Sequence, residues 1–162
     1  MRPTRTAWTP SSILLAAAGA TLILAGLYFL LLRSALLPED VRYINLSTAE
    51  LAAVRPRFEA WPSHIFRVMG GYVLGTGVLT VTLAVTSFRA HDRAAAVGAL
   101  IGGSASIGLM AAVNFAISSD FKWVLLGMAL LWASSLALYG LETGSVRASR
   151  SSQSERKLDV RG

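Results

Sequence analysis

Residues Ile13–Leu32 read ILLAAAGATLILAGLYFLLL, twenty residues whose only ionisable group is the Tyr28 phenol. At 1.5 Å per residue such a helix is about 30 Å long, the thickness of a bilayer's hydrocarbon core. Buried helices of soluble domains are rarely this long and this free of charge. The stretch is also too long for the apolar part of a secretion signal, and no small-residue cleavage pattern follows it before Arg33-Ser34-Ala35.

Working outward from this segment, the same signature recurs three times. Uncharged runs extend over Val68–Phe88, Ala94–Ile117 and Trp123–Leu141. Charged residues make up only 15% of the 162-residue chain and crowd between these runs, and the mean hydropathy is +0.55. An average soluble domain carries about 25%. The pattern predicts an all-α membrane protein with four transmembrane helices in an up-down bundle. The spans are placed near 13–32, 66–88, 94–117 and 122–141, with an outer loop over 33–64. Residues 1–141 form the membrane domain.

The net charge is +6, with 13 arginines and 2 lysines. These flank the apolar runs instead of lining one face among aromatics, which fits anionic headgroups as partners and not nucleic acid. With four spans both termini share a side. Nine basic residues then fall on the terminal side (Arg2, Arg5, Arg89, Arg93, Arg147, Arg150, Arg156, Lys157, Arg161) and six on the other. The positive-inside rule favours cytoplasmic termini in a cell (inner or plasma) membrane. The polar, serine-rich tail 142–162 lacks apolar periodicity and is expected to be disordered.

Within the outer loop, Ser47-Thr48-Ala49-Glu50 reads as a capping box flanked by Leu46 and Leu51, and predicts a short amphipathic helix from Thr48. Leu51, Val54 and Phe58 could share one face of it, and Pro56 is expected to interrupt it. A Trp61-Pro62 turn then leads into the second span.

That second span carries FRVMGGYVLGTG over Phe66–Gly77, costly in water because an interior glycine loses about 1 kcal/mol against alanine. In lipid, small residues four apart let helix backbones approach. Gly71 with Gly75, and the row Ala94, Gly98, Gly102 and Ser106, are therefore read as helix-packing positions, within the bundle or toward a second copy or a membrane-protein partner. A parallel row, Ala95, Ala99 and Gly103, lies beside the latter. Gly75-Thr76-Gly77 is not a dinucleotide fingerprint, since no strand precedes it and the third glycine is absent.

The cores hold no Asp, Glu, Lys, Arg or His, which argues against an ion-coupled carrier. Asn114, Tyr72 and Trp132 are the polar or amphipathic side chains that could surround a lipid-like ligand. No cysteine is present and no metal-ligand spacing occurs, so no cofactor or metal is implied. His64 with Glu59 and the other loop carboxylates could in principle serve acid–base chemistry at the headgroup plane, although no catalytic motif accompanies them.

The GGYVLGTGVL run, the basic turn after it and four spans in about 160 residues resemble small bacterial inner-membrane proteins, broadly DoxX-like in layout. The resemblance implies a four-helix membrane fold and no particular activity. The leading expectation is a non-enzymatic accessory or interaction subunit. The alternative is a binder or passive carrier of an apolar small molecule, and a headgroup-plane enzyme is the third.

Overall fold

In the computed structural model, residues 8–45 and 47–159 are described, without the side chains of residues 48, 51, 53–59 and 146–159. Every regular element among them is helical. They are α1 (Pro10–Leu31), α2 (Pro38–Ile44), α3 (Thr48–Leu83), α4 (Arg93–Gly103), α5 (Leu109–Ala116) and α6 (Lys122–Asp159). A π-helical turn, Ala84–Phe88, ends α3, and a second, Ser104–Gly108, joins α4 to α5. Four stretches are long and apolar enough to cross a membrane: Pro10–Leu31, Ala60–Phe88, Arg93–Ala116 and Lys122–Ser145.

Helix α1 is the central element, packing most extensively on α3 and next on α6. It starts where Thr9 caps it, accepting from the Ser12 amide, with Pro10 in the first turn. Leu15, Ala18 and Leu22 are buried on its inner face. The α1–α3 contact is made by two pairs of glycines, each pair seven residues apart. A Cβ added at Gly77 would sit 2.8 Å from the Gly19 carbonyl oxygen, and one added at Gly70 would sit 3.0 Å from the Gly26 carbonyl oxygen. Gly26 itself faces the backbone of Leu74. Residue 19 thus meets 77–81 and residue 26 meets 70–74, so the pairing descends α3 as it climbs α1.

The third apolar stretch, Arg93–Ala116, packs mainly on α6 and touches α3 only thinly. Its buried residues are Ala95, Ala99, Ile107 and Ala111, which with Gly103 form a row at intervals of four. In an uninterrupted α-helix such a row would rotate by about 40° at each step. The i→i+5 turn at Ser104–Gly108 takes more residues per turn and offsets that drift. One face therefore stays against α6 along the whole stretch.

Both ends are tied by carboxylates. At one end Glu142 of α6 accepts from the Ser11 amide (3.1 Å) and the Ser11 hydroxyl (2.5 Å), and lies 3.2 Å from His91 Nε2. It supplies a negative charge to the N-terminus of α1. At the other end Glu39 of α2 accepts from the Ser119 hydroxyl (3.0 Å) and the Asp120 amide (2.8 Å) just before α6 begins. Arg42 pairs with Asp120 at 2.6 Å on the surface. Arg33, largely buried, pairs with Asp40 at 3.1 Å and lies 3.4 Å over the Phe66 ring.

Three expectations about the loop and tail are corrected. The helix beginning at Thr48 is not separate: it continues through Pro56, Trp61 and Pro62 as the first part of α3. A proline removes one backbone bond and bends a helix, and neighbouring turns can absorb this without termination. The separate short helix lies earlier, at Pro38–Ile44, announced by a first-position proline, two acids in its first turn, and Asp40 reaching back to the Leu37 amide (2.8 Å). Helix α6 continues to Asp159 instead of ending near Leu141, since its last turns hold Arg, Ser, Gln, Glu and Lys with no proline and no glycine after Gly144. The Ser47–Glu50 capping box forms: the Glu50 amide donates to Ser47 Oγ (3.3 Å) and the Ser47 amide donates to Glu50 (2.9 Å). The shared face of Leu51, Val54 and Phe58 lies outside the described side chains.

Candidate functional site

Where α3 and the third apolar stretch diverge, they leave a groove of about 440 Å³. Thr76, Leu79, Thr80, Leu83 and Thr86 of α3 form one wall. Gly98, Gly102 and Ile107 belong to the other, and Leu15 of α1 and Trp132 of α6 complete the lining. The wall of threonines gives the groove an unexpected chemistry. Thr76 donates to the Tyr72 carbonyl (2.8 Å), Thr80 to Thr76 (2.8 Å), Thr82 to Val78 (2.9 Å) and Thr86 to Thr82 (2.6 Å). Each hydroxyl is thus spent on its own helix, one turn back.

The opposite side is satisfied in the same way. The Trp132 indole N–H donates to the Ala99 carbonyl at 2.9 Å, and Ser106 Oγ donates to the Gly102 carbonyl at 2.6 Å. Trp132 lies so close to Gly103 that a Cβ there would overlap the indole. Gly103 thereby lets the tryptophan cross between helices, and the bond to Ala99 holds it there. A surface whose hydroxyls and indole N–H already have partners offers little to a polar substrate and favours hydrocarbon.

The glycines singled out in the sequence divide sharply. A Cβ added at Gly71, Gly75, Gly98 or Gly102 would meet nothing within 4 Å among the described residues. Within the chain, then, these four are not the packing glycines. Gly71 and Gly75 face outward on α3, while Gly98 and Gly102 line the groove. Ser106 is half-buried, bonded to its own helix. The packing within the chain is made by Gly19, Gly26, Gly70, Gly77 and Gly103. The missed signal was the matching seven-residue spacing of Gly19/Gly26 and Gly70/Gly77; a search for four-residue spacings passes over it. In the third stretch the neighbouring row of Ala95, Ala99 and Gly103 is the one that packs.

The three residues read as a ligand pocket are not brought together. Trp132 lines the groove, but Tyr72 is 75% exposed on α3. Asn114 donates to the Met110 carbonyl of its own helix at 2.9 Å.

The loop residues considered for acid–base chemistry do not converge either. Asp40 is held by Arg33 and the Leu37 amide, and Glu50 by Ser47. His64 is exposed on α3, and the Glu59 side chain lies outside the described residues. Among the described residues no group of three His, Cys, Asp or Glu side chains could hold a metal ion.

The chain matches no protein-family model, and no curated protein or solved structure is significantly similar to it. No residue is therefore assigned a role by similarity, and the groove stands on its own geometry.

Proposed function

We propose that this chain is a non-enzymatic integral membrane protein that crosses the bilayer four times in up-down order. Both termini lie in the cytoplasm, and the groove between α3 and the Arg93–Ala116 span receives the hydrocarbon chain of a lipid-like molecule. The observation that carries the reading is the groove's lining: alkyl groups, glycines and threonine methyls, with the hydroxyls and the indole N–H turned to backbone carbonyls. Such a surface binds apolar chains by shape and dispersion contact.

A photoactivatable alkyl lipid, irradiated with the protein in vesicles, should label peptides from Thr76–Thr86 and Gly98–Ile107. Gly102→Leu should suppress that labelling, because position 102 has free space around its Cβ and its side chain would fill the groove. Labelling spread evenly over all outward faces, unchanged by Gly102→Leu, would overturn the reading.

The expectation of an accessory or interaction subunit is retained as a second reading on a different observation. Gly71 and Gly75 present a small-residue pair on the outer face of α3 with no described residue packed on it, the kind of surface another transmembrane helix or a second copy can approach closely.

A further inference from the structure

We propose that the groove's occupant is one acyl chain of an anionic phospholipid, from the leaflet on the side of the α3–α4 turn, with its phosphate at Arg89 and Arg93. This rests on the hydrocarbon-binding reading above and names its ligand class.

Length comes first. The lining runs from Thr76 to Thr86 on α3 and from Gly98 to Ile107 on the facing wall. At 1.5 Å per residue each wall is about 15 Å long, half of the roughly 30 Å hydrocarbon core. Within the apolar stretch Ala60–Phe88 these residues lie in the half that ends at the turn. The groove therefore spans one leaflet, the one containing that turn.

Width comes next. A groove of about 440 Å³ along about 15 Å has a mean section of about 30 Å². An extended hydrocarbon chain packed at carbon–carbon contacts of about 4 Å fills some 15–20 Å². One extended chain therefore has room to lie along the groove.

Charge supplies the headgroup. The two walls are joined by the short turn that carries Arg89, three residues beyond Thr86, and Arg93, five before Gly98. Neither arginine has a carboxylate partner among the described residues, and Arg89 Nε is buried without a hydrogen-bond partner there. The Arg89 guanidinium lies over the Trp8 ring, 5.3 Å from its centroid, a cation–π contact that brings no counter-charge. Two carboxylates lie at the same end and keep their charge: Asp92, which accepts from the Ala94 amide at 2.8 Å, and Glu142, which is held by Ser11 and His91. The turn that joins the two walls thus offers two guanidinium groups at the level where phosphates of that leaflet sit.

The test uses the full-length protein in nanodiscs of equimolar phosphatidylglycerol and phosphatidylcholine with identical chains, the retained lipid being counted and identified by native mass spectrometry. One retained lipid is expected, with phosphatidylglycerol preferred by tenfold or more. Arg93→Gln should lower the preference about fivefold while a lipid is still retained, and Arg89→Gln with Arg93→Gln should bring it near unity. Gly102→Leu should remove either lipid while circular dichroism shows an intact helical fold. Equal retention of both lipids, or a preference untouched by the double arginine change, would overturn the headgroup assignment and leave the groove reading standing. Absence of any retained lipid would overturn both, as would a crosslinked second copy or polypeptide seated against Gly98 and Gly102.

Discussion

Gly77→Ala and Gly75→Ala differ by two positions on one helix, and only the first should destabilise the protein. At Gly77 the new methyl would lie 2.7 Å from the Ile23 amide nitrogen and 2.8 Å from the Gly19 carbonyl oxygen. Both are backbone atoms, so no rotamer change relieves the overlap, and α1 must shift by about half an ångström or more to reach ordinary contact. Overpacking of this kind costs about 1–3 kcal/mol, against about 1 kcal/mol gained from alanine's better helix propensity. The net is a loss of up to about 2 kcal/mol. At Gly75 nothing lies within 4 Å, so only the gain remains, up to about 1 kcal/mol. Reversible unfolding of the purified protein by sodium dodecyl sulfate in mixed micelles measures the difference. A midpoint lowered by Gly77→Ala and unchanged or raised by Gly75→Ala is expected. Equal destabilisation by the two, or a larger loss at Gly75, would refute the assignment of the α1–α3 seam to the seven-spaced glycines.

Three further outcomes follow from the same geometry. Gly103→Ala should displace the Trp132 indole and cost about 1–3 kcal/mol, read as a red-shifted emission in a protein retaining Trp132 alone. Glu142→Ala removes the carboxylate that accepts from both the amide and the hydroxyl of the fully buried Ser11 and should lower stability by about 1–3 kcal/mol, whereas Asp120→Asn at the exposed Arg42 pair should change it by less than about 1 kcal/mol. Glu50 titrates below its ordinary value of 4.5, held down by hydrogen bonds from the Ser47 side chain and then its amide. Its lowered pKa stabilises the α3 cap above 4.5 and loses that contribution as the pH falls below it, so amide exchange near residues 47–50 should accelerate relative to its intrinsic rate below pH 4.5 and not between pH 5 and 7.

Much of this architecture was legible because it follows from composition and length. Four uncharged runs announce four long apolar helices, and the capping box at Ser47–Glu50 marks where α3 begins. Helix pairing was less legible. Small-residue spacing identifies a face on which close approach is possible, but a sequence does not say which of two adjacent faces is used. Ala94, Gly98 and Gly102 have the same spacing as Ala95, Ala99 and Gly103, and it is the latter row that is turned inward, with Trp132 of α6 against Gly103. The proline positions misled for a related reason: Pro56 and Pro62 weaken a helix locally, and whether it stops there depends on what surrounds it. The groove was not legible at all, since it is the space left where α3 and the third stretch part. Its apolar character depends on four threonine hydroxyls choosing backbone partners.

The groove's contact with lipid chains can be read directly from Trp132, with Trp8, Trp61 and Trp123 changed to Phe and the protein placed in vesicles containing lipids brominated along the acyl chain. Bromine quenches tryptophan only at close range. Strong quenching of Trp132 that falls sharply in the Gly102→Leu background is predicted. Emission indifferent to the brominated chains, or quenched to the same extent with the groove filled, would contradict the account.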